Sequence, residues 1–196
     1  MLAGVTISHV AHYVAVMSLY QLVGKITLGT EDPQLSFVTA MLHIVSPAGV
    51  FLSAPYAESV FAALSFVALN LYLPTRQFAF TPEAMTLKAD ARIVLAGLLF
   101  GLSSTIRSNG LPSGLYFLLD IIGLILSNPR QIFELRKIRR GFCLAIGGFC
   151  VVVGFCYPQY MAYLRYCHET AAGDERRSWC DERIPSIYSY VQSAYW

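Results

Sequence analysis

Apolar runs of roughly membrane-spanning length, each closed by a proline or a short polar turn, leave this chain few ways to fold. About 20 apolar residues cross the hydrocarbon core as a helix, because no water there can satisfy exposed backbone groups. Six such runs can be traced: Leu2–Val23, Leu35–Ser53, Tyr56–Leu73, Ala91–Ile106, Leu111–Leu126 and Phe142–Leu164. Pro33, Pro55, Pro74, Pro82, Pro112 and Pro129 fall at or beside the breaks, where a fixed φ and a missing N–H start or end helices. The fourth and fifth runs are short, which predicts tilt or shielding by neighbouring helices. The chain is 56% hydrophobic and 13% charged, against roughly 25% charged in a soluble domain. The expected fold is all-α, a polytopic transmembrane helical bundle over residues 1–164, followed by a loop segment with an aromatic motif over 165–196.

Charge sets the orientation. Lys and Arg resist translocation, so the stretch holding Arg130, Arg136, Lys137, Arg139 and Arg140 belongs on the cytosolic side. Alternation puts Lys25–Gln34 and Pro74–Asp90 there too, which, with Arg92 at a helix end, places nine of the 14 basic residues in the cytosol. The opposite face receives the turn "SAPYAES", the turn "RSNG" and the whole segment Arg165–Trp196. Leu2–Val23 lacks a basic leader and a small-residue cleavage site, so it reads as a span and not a signal peptide. A net charge of +2 gives no basic patch for nucleic acid.

Three motifs share that non-cytosolic face. In Ser46–Ser59, Pro55 suits the first turn of a helix and Glu58 follows where the helix dipole stabilises a carboxylate. Tyr56 and Glu58 there bind a sugar hydroxyl or orient a basic group, or else Glu58 is only a dipole-matched turn residue. Arg107 ends an apolar run, where a guanidinium either reaches the head groups or binds phosphate in bidentate fashion. Asn109-Gly110 after it reads as a turn or helix cap with Gly110 at positive φ. In the tail, Trp179, Tyr188, Tyr190, Tyr195 and Trp196 form an interfacial belt or stack on sugars, with Gln192 adding hydrogen bonds. Cys167 and Cys180 fall on the same side and form a disulfide if that side is oxidising.

Other signals are weaker. Gly97 and Gly101 make a G-x-x-x-G step that lets two helices approach. Asp120 sits mid-span with no sequence neighbour to pair it, which predicts a hydrogen-bonded or protonated packing role. His9 and His12 share a helix face, but two ligands without a third make no metal site.

Taken in order, "SPAGVFLSAPYAES", "RSNG", "WC" and "P-x-IYSYVQ-x-x-YW" resemble the PIG-V family, over about Leu35 to Trp196. Members of that family add the second mannose during glycosylphosphatidylinositol (GPI) anchor assembly. The resemblance implies a GT-C type glycosyltransferase, present here in part, in the endoplasmic reticulum membrane with its active face lumenal. The implied donor is dolichyl-phosphate mannose and the implied acceptor is a GPI precursor. The transfer would invert the sugar to give an α-1,6 linkage without a further cofactor. Tyr56, Glu58, Arg107, Asn109, Trp179, Tyr188, Tyr190, Gln192, Tyr195 and Trp196 carry over as substrate-binding positions. A small membrane partner subunit is compatible with that picture.

Three departures qualify it, one of them the spacing in the Glu169–Ser178 loop. Ala57 stands where the family commonly has Ser. The acidic first lumenal loop expected to supply the catalytic base is absent, leaving Glu58 as the one signature carboxylate and the base unassigned. The chain therefore reads as a fragment. The alternatives are a non-catalytic membrane subunit and a small transporter using Asp120 and Arg107 as intramembrane charges, although no internal repeat supports the latter.

Overall fold

The computed structural model describes residues 2–27, 32–46, 56–76, 86–127, 135–167 and 178–181. Those residues form helices α1 (Leu2–Ile26), α2 (Pro33–Val45), α3 (Ala57–Arg76), α4 (Leu87–Ile106), α5 (Gly114–Ser127) and α6 (Leu135–Tyr166). Two 3-10 turns, Ser108–Ser113 and Ser178–Asp181, complete them, and no strand is present among the described residues. Five helical stretches are long and apolar enough to cross a membrane, Ser108–Leu126 being the one that includes α5. Helix α2 has 13 residues and so rises only about 20 Å, less than the ~30 Å hydrocarbon core; the rest of the run expected to end at Ser53 lies outside the described residues. The all-helical bundle expected from the sequence is the observed class.

Local chemistry explains the helix starts. Asp32 caps α2 by accepting the N–H groups of Gln34 and Leu35 at 2.9 and 3.3 Å, with Pro33 at the first helical position, where its missing N–H does no harm. Thr86 caps α4 through the Ala89 N–H at 3.2 Å, so this helix starts at Leu87, four residues before the expected Ala91. Pro74, read as a break, lies inside α3, which continues to Arg76. Helix α6 starts at Leu135 instead of Phe142: the basic run assigned to a loop is helical from Leu135, and Arg140 is only 1% exposed within it.

The core lies where α3, α4, α5 and α6 meet. Tyr72, Ile93, Ala96, Phe100, Phe117 and Leu144 are its buried centre, with the Tyr72 and Phe117 rings 5.0 Å apart. Helices α4 and α6 run parallel, in a register of about fifty residues that pairs Asp90 with Arg139 and Arg140. Further along, Gly97 meets Gly147, and Gly101 meets Cys150 and Gly154. The glycine step thus does what its spacing predicts, bringing two backbones into contact. A Cβ on Gly101 would sit 2.6 Å from the Cys150 carbonyl oxygen, a backbone atom with no rotamer to change. Gly101→Ala should therefore lose about 1–3 kcal/mol to overpacking, and Gly101→Leu should not fold. Gly148→Ala, whose Cβ meets Phe117 at an ordinary 3.5 Å, is the matched control in a thermal-shift measurement of detergent-purified protein.

Helices α1 and α3 are also parallel. Ser59 donates to Ser8 at 3.2 Å near their starts, and Asn70 donates to the Ser18 carbonyl at 2.6 Å further along. The bundle consequently has two chemically different ends. One gathers the beginnings of α1 and α3 with the finishes of α4 and α6; the other gathers the finishes of α1 and α3 with the basic start of α6.

Candidate functional site

The first end brings two of the sequence motifs into contact. Glu58 lies in the first turn of α3, where unsatisfied amides favour a carboxylate. Arg107 closes α4 by leaving it: its backbone is extended, φ −143° and ψ 135°, while its N–H still donates to the Ser103 carbonyl. That turn swings the guanidinium towards α3, and Arg107 Nη1 donates to Glu58 Oε1 at 2.7 Å.

Arg107 is held by its backbone on both sides. Its N–H engages Ser103 O at 3.0 Å, and its carbonyl accepts the Gly110 N–H at 2.9 Å. Gly110 is buried against α4, where a Cβ would stand 2.7 Å from Ser104 Cα. This corrects the expectation of positive φ: Gly110 falls within the 3-10 turn Ser108–Ser113, and close approach is what demands a glycine. Ser103 and Ser104, buried just before the motif, were not singled out from sequence; two small hydroxyl residues one turn ahead of a terminal arginine were the available signal.

The pair is open to its surroundings. Side-chain exposure is 38% for Arg107 and 32% for Glu58, while Glu58 Oε2 is buried with no hydrogen-bond partner. Of the five N–H donors on a guanidinium, the one on Glu58 leaves others directed elsewhere, a geometry suited to grasping a phosphate. Tyr56 sits at this end with its ring exposed and its carbonyl accepting from Ser8 at 3.5 Å. Asn109 is exposed on the 3-10 turn.

Trp179 is elsewhere on the same end. By the α4–α6 register, α6 continues roughly ten residues, or ~15 Å, past the level of Arg107. At its tip Cys167 and Cys180 form a disulfide with Cα atoms 5.4 Å apart. Trp179 is 8% exposed in that cluster, edge-on to Tyr166 at 6.4 Å, which makes it a packing residue of the disulfide knot. Tyr188, Tyr190, Gln192, Tyr195 and Trp196 lie outside the described residues, as do 47–55 of the first motif.

The charges at the second end are separate from this site. Asp120 accepts from Tyr72 Oη at 2.6 Å and from Arg76 Nε at 2.9 Å, so it is hydrogen-bonded as expected but also ion-paired. Tyr72 and Arg76 stand one turn apart on α3, so both reach the same carboxylate. Asp120 and Arg107 therefore belong to different, locally neutralised groups, which removes the observation behind a transport path. His12 stacks on His43 at 5.5 Å instead of acting with His9. No group of three or more His, Cys, Asp or Glu suited to a metal occurs among the described residues.

Comparison with known proteins agrees with the family resemblance. The family model described as Mannosyltransferase (PIG-V) matches residues 1–196. "GPI mannosyltransferase 2" of Gibberella zeae is 45% identical over 195 residues, covering 100% of this chain and 44% of the relative. The protein of the same name from Aspergillus oryzae is 36% identical, covering 100% of this chain and 44% of its own length. "GPI alpha-1,6-mannosyltransferase 2" of Cricetulus griseus is 32% identical over 207 residues, covering 93% of this chain and 37% of the relative. The chain thus spans less than half the length of these relatives, and no solved structure matches it. The family model covers every residue of this chain, and so does the alignment with the Gibberella zeae relative: the chain belongs to the PIG-V mannosyltransferase family.

Proposed function

We propose that this chain supplies the phosphate-gripping part of a membrane mannosyltransferase. That enzyme would transfer the second mannose, in α-1,6 linkage, from dolichyl-phosphate mannose to a GPI precursor at the lumenal face of the endoplasmic reticulum. The relatives named GPI mannosyltransferase 2 and GPI alpha-1,6-mannosyltransferase 2 point to the reaction. The observation that carries it to particular residues is the Glu58–Arg107 contact, which joins two signature motifs at the end of the bundle opposite its basic start.

In such a transfer the acceptor hydroxyl oxygen bonds to mannose C1 while the bond from C1 to the phosphate oxygen breaks, its electrons leaving with the dolichyl phosphate. Negative charge gathers on that phosphate, where a guanidinium already in place stabilises it without reorganisation. Glu58 holds Arg107 in position through Oε1 and so acts as a positioning residue. Tyr56 and Asn109, exposed beside the pair, are placed to meet sugar hydroxyls. An activated lipid-linked sugar needs no other cofactor in this scheme. The acceptor hydroxyl loses its proton to a base that none of the described contacts identifies.

The test is complementation. A full-length protein containing this chain, expressed in cells lacking the second GPI mannosylation, should restore GPI-anchored proteins at the cell surface. Its microsomes should transfer mannose to a precursor already carrying one mannose. Failure of both, with the protein present at normal level in the membrane, would reject the assignment.

A further inference from the structure

The contact with Glu58 fixes only the tip of the Arg107 side chain. A pair whose members are 38% and 32% exposed holds a guanidinium weakly once solvent screens it. The root of the side chain is fixed by a different device. Arg107 is stretched between two backbone bonds, its N–H on the Ser103 carbonyl at 3.0 Å and its carbonyl on the Gly110 N–H at 2.9 Å. Those bonds hold its φ and ψ, and with them the direction in which the side chain leaves the backbone. Both depend on how closely the 3-10 turn Ser108–Ser113 lies against the last turn of α4.

Small residues on both sides make that closeness possible. The Ser103 and Ser104 hydroxyls fold back onto the Phe100 carbonyl at 2.8 and 2.9 Å. A hydroxyl bonded to its own helix projects little, so α4 presents a low surface here. Gly110 lies on it: a Cβ would stand 2.5 Å from Ser104 Oγ, 2.7 Å from its Cα and 2.8 Å from its N. Cα and N are main-chain atoms with no rotamer to change. Ordinary contact starts at 3.4 Å, so an alanine at 110 must lift the turn by about 1 Å. On its far side the turn is fastened by Ser113 Oγ, which donates to the Gly110 carbonyl at 2.6 Å. Pro112 within the turn adds a fixed φ.

We infer that Gly110, Ser104 and Ser113 are positioning residues for Arg107: the turn they clamp to α4 sets where the guanidinium meets the phosphate that leaves with the dolichyl chain. Their role rests on the phosphate grip proposed above for Arg107. It gives a chemical reason for coupling an arginine to a glycine three positions later. A guanidinium set back by about 1 Å no longer stands where charge develops, and a displacement of that size costs about 10²-fold in a preorganised site.

The test is a double-mutant cycle in the full-length protein. Microsomes are assayed with dolichyl-phosphate mannose and a precursor carrying one mannose, and rates are divided by the amount of folded protein. Gly110→Ala should lower kcat/KM about 30-fold, and Ser113→Ala, which removes one hydrogen bond without adding bulk, about threefold. In an Arg107→Ala background each should cost less than about twofold more, because no guanidinium is left to misplace. A purely structural role would instead lower the yield of folded protein, or add its full loss to that of Arg107→Ala. Either result overturns the positioning role. So does wild-type transfer by folded Gly110→Ala, or by Ser113→Ala should Gly110→Ala fail to fold. If Arg107→Ala itself transfers normally, the phosphate grip fails and the role of the turn goes with it. If Arg107→Ala is crippled while both turn variants transfer normally, the grip stands and only the role of the turn is rejected.

Discussion

Asp90→Ala is expected to destabilise the folded protein by about 3–5 kcal/mol, the usual consequence of removing one partner of a buried ion pair. Asp90 is 3% exposed in the first turn of α4, and Arg140 is 1% exposed near the start of α6. One carboxylate serves two arginines, with Arg139 Nε at 2.6 Å and Arg140 Nη1 at 3.4 Å. Arg140 Nη2 adds a 2.6 Å bond to the Thr75 carbonyl, so α3, α4 and α6 are joined at one point. Without Asp90 the Arg140 guanidinium keeps a single neutral acceptor and no countercharge while still out of water. Against a total stability of about 5–15 kcal/mol for a typical domain, that loss should show as low recovery and a lower melting temperature in detergent. Asp90→Asn keeps acceptor geometry and should fall between. Asp90→Ala combined with Arg140→Leu should recover part of the loss, since the double change removes the stranded charge. Wild-type melting of Asp90→Ala would mean that this triad is not what binds the three helices.

This joint also shows where sequence stops being informative. Spans announce themselves through about 20 consecutive apolar residues, and the Gly97–Gly101 step through its spacing, because both signals are local and periodic. Arg139 and Arg140 look like ordinary positive-inside residues. Only a partner 49 or 50 positions away in sequence reveals that they are structural, and no periodicity carries that information. Asp120 was visible as an anomaly, but its partners Tyr72 and Arg76 were not, for the same reason. At the candidate site the two motifs were legible one by one, and the idea that Glu58 orients a basic group is realised on Arg107. What could not be read was that Gly110 is required by the closeness of Ser104 and not by its own φ.

Arg107→Ala should behave in the opposite way to Asp90→Ala: mannose transfer by the full-length protein should fall about 10²–10³-fold, the range for losing a preorganised donor to a developing charge, with protein level unchanged. The stability half of this expectation follows from exposure. Both side chains are about a third exposed, and ion pairs in such settings contribute about 0–1 kcal/mol after solvent screening. The activity half follows from where the charge is needed. Arg107→Lys keeps the charge but loses the planar fork that meets two phosphate oxygens, so it should recover only part of the rate. Glu58→Gln keeps an acceptor for Nη1 and should be mild, whereas Glu58→Ala frees the guanidinium and should weaken donor use more than protein level. The exchange Glu58→Arg with Arg107→Glu separates the two roles of this contact. It rebuilds the ion pair but moves the cation from the end of α4 to the start of α3, so transfer assayed in microsomes should stay low. If the exchange instead restored transfer, the contact would matter only as a link between α3 and α4, and Arg107 would have no part in holding the leaving phosphate.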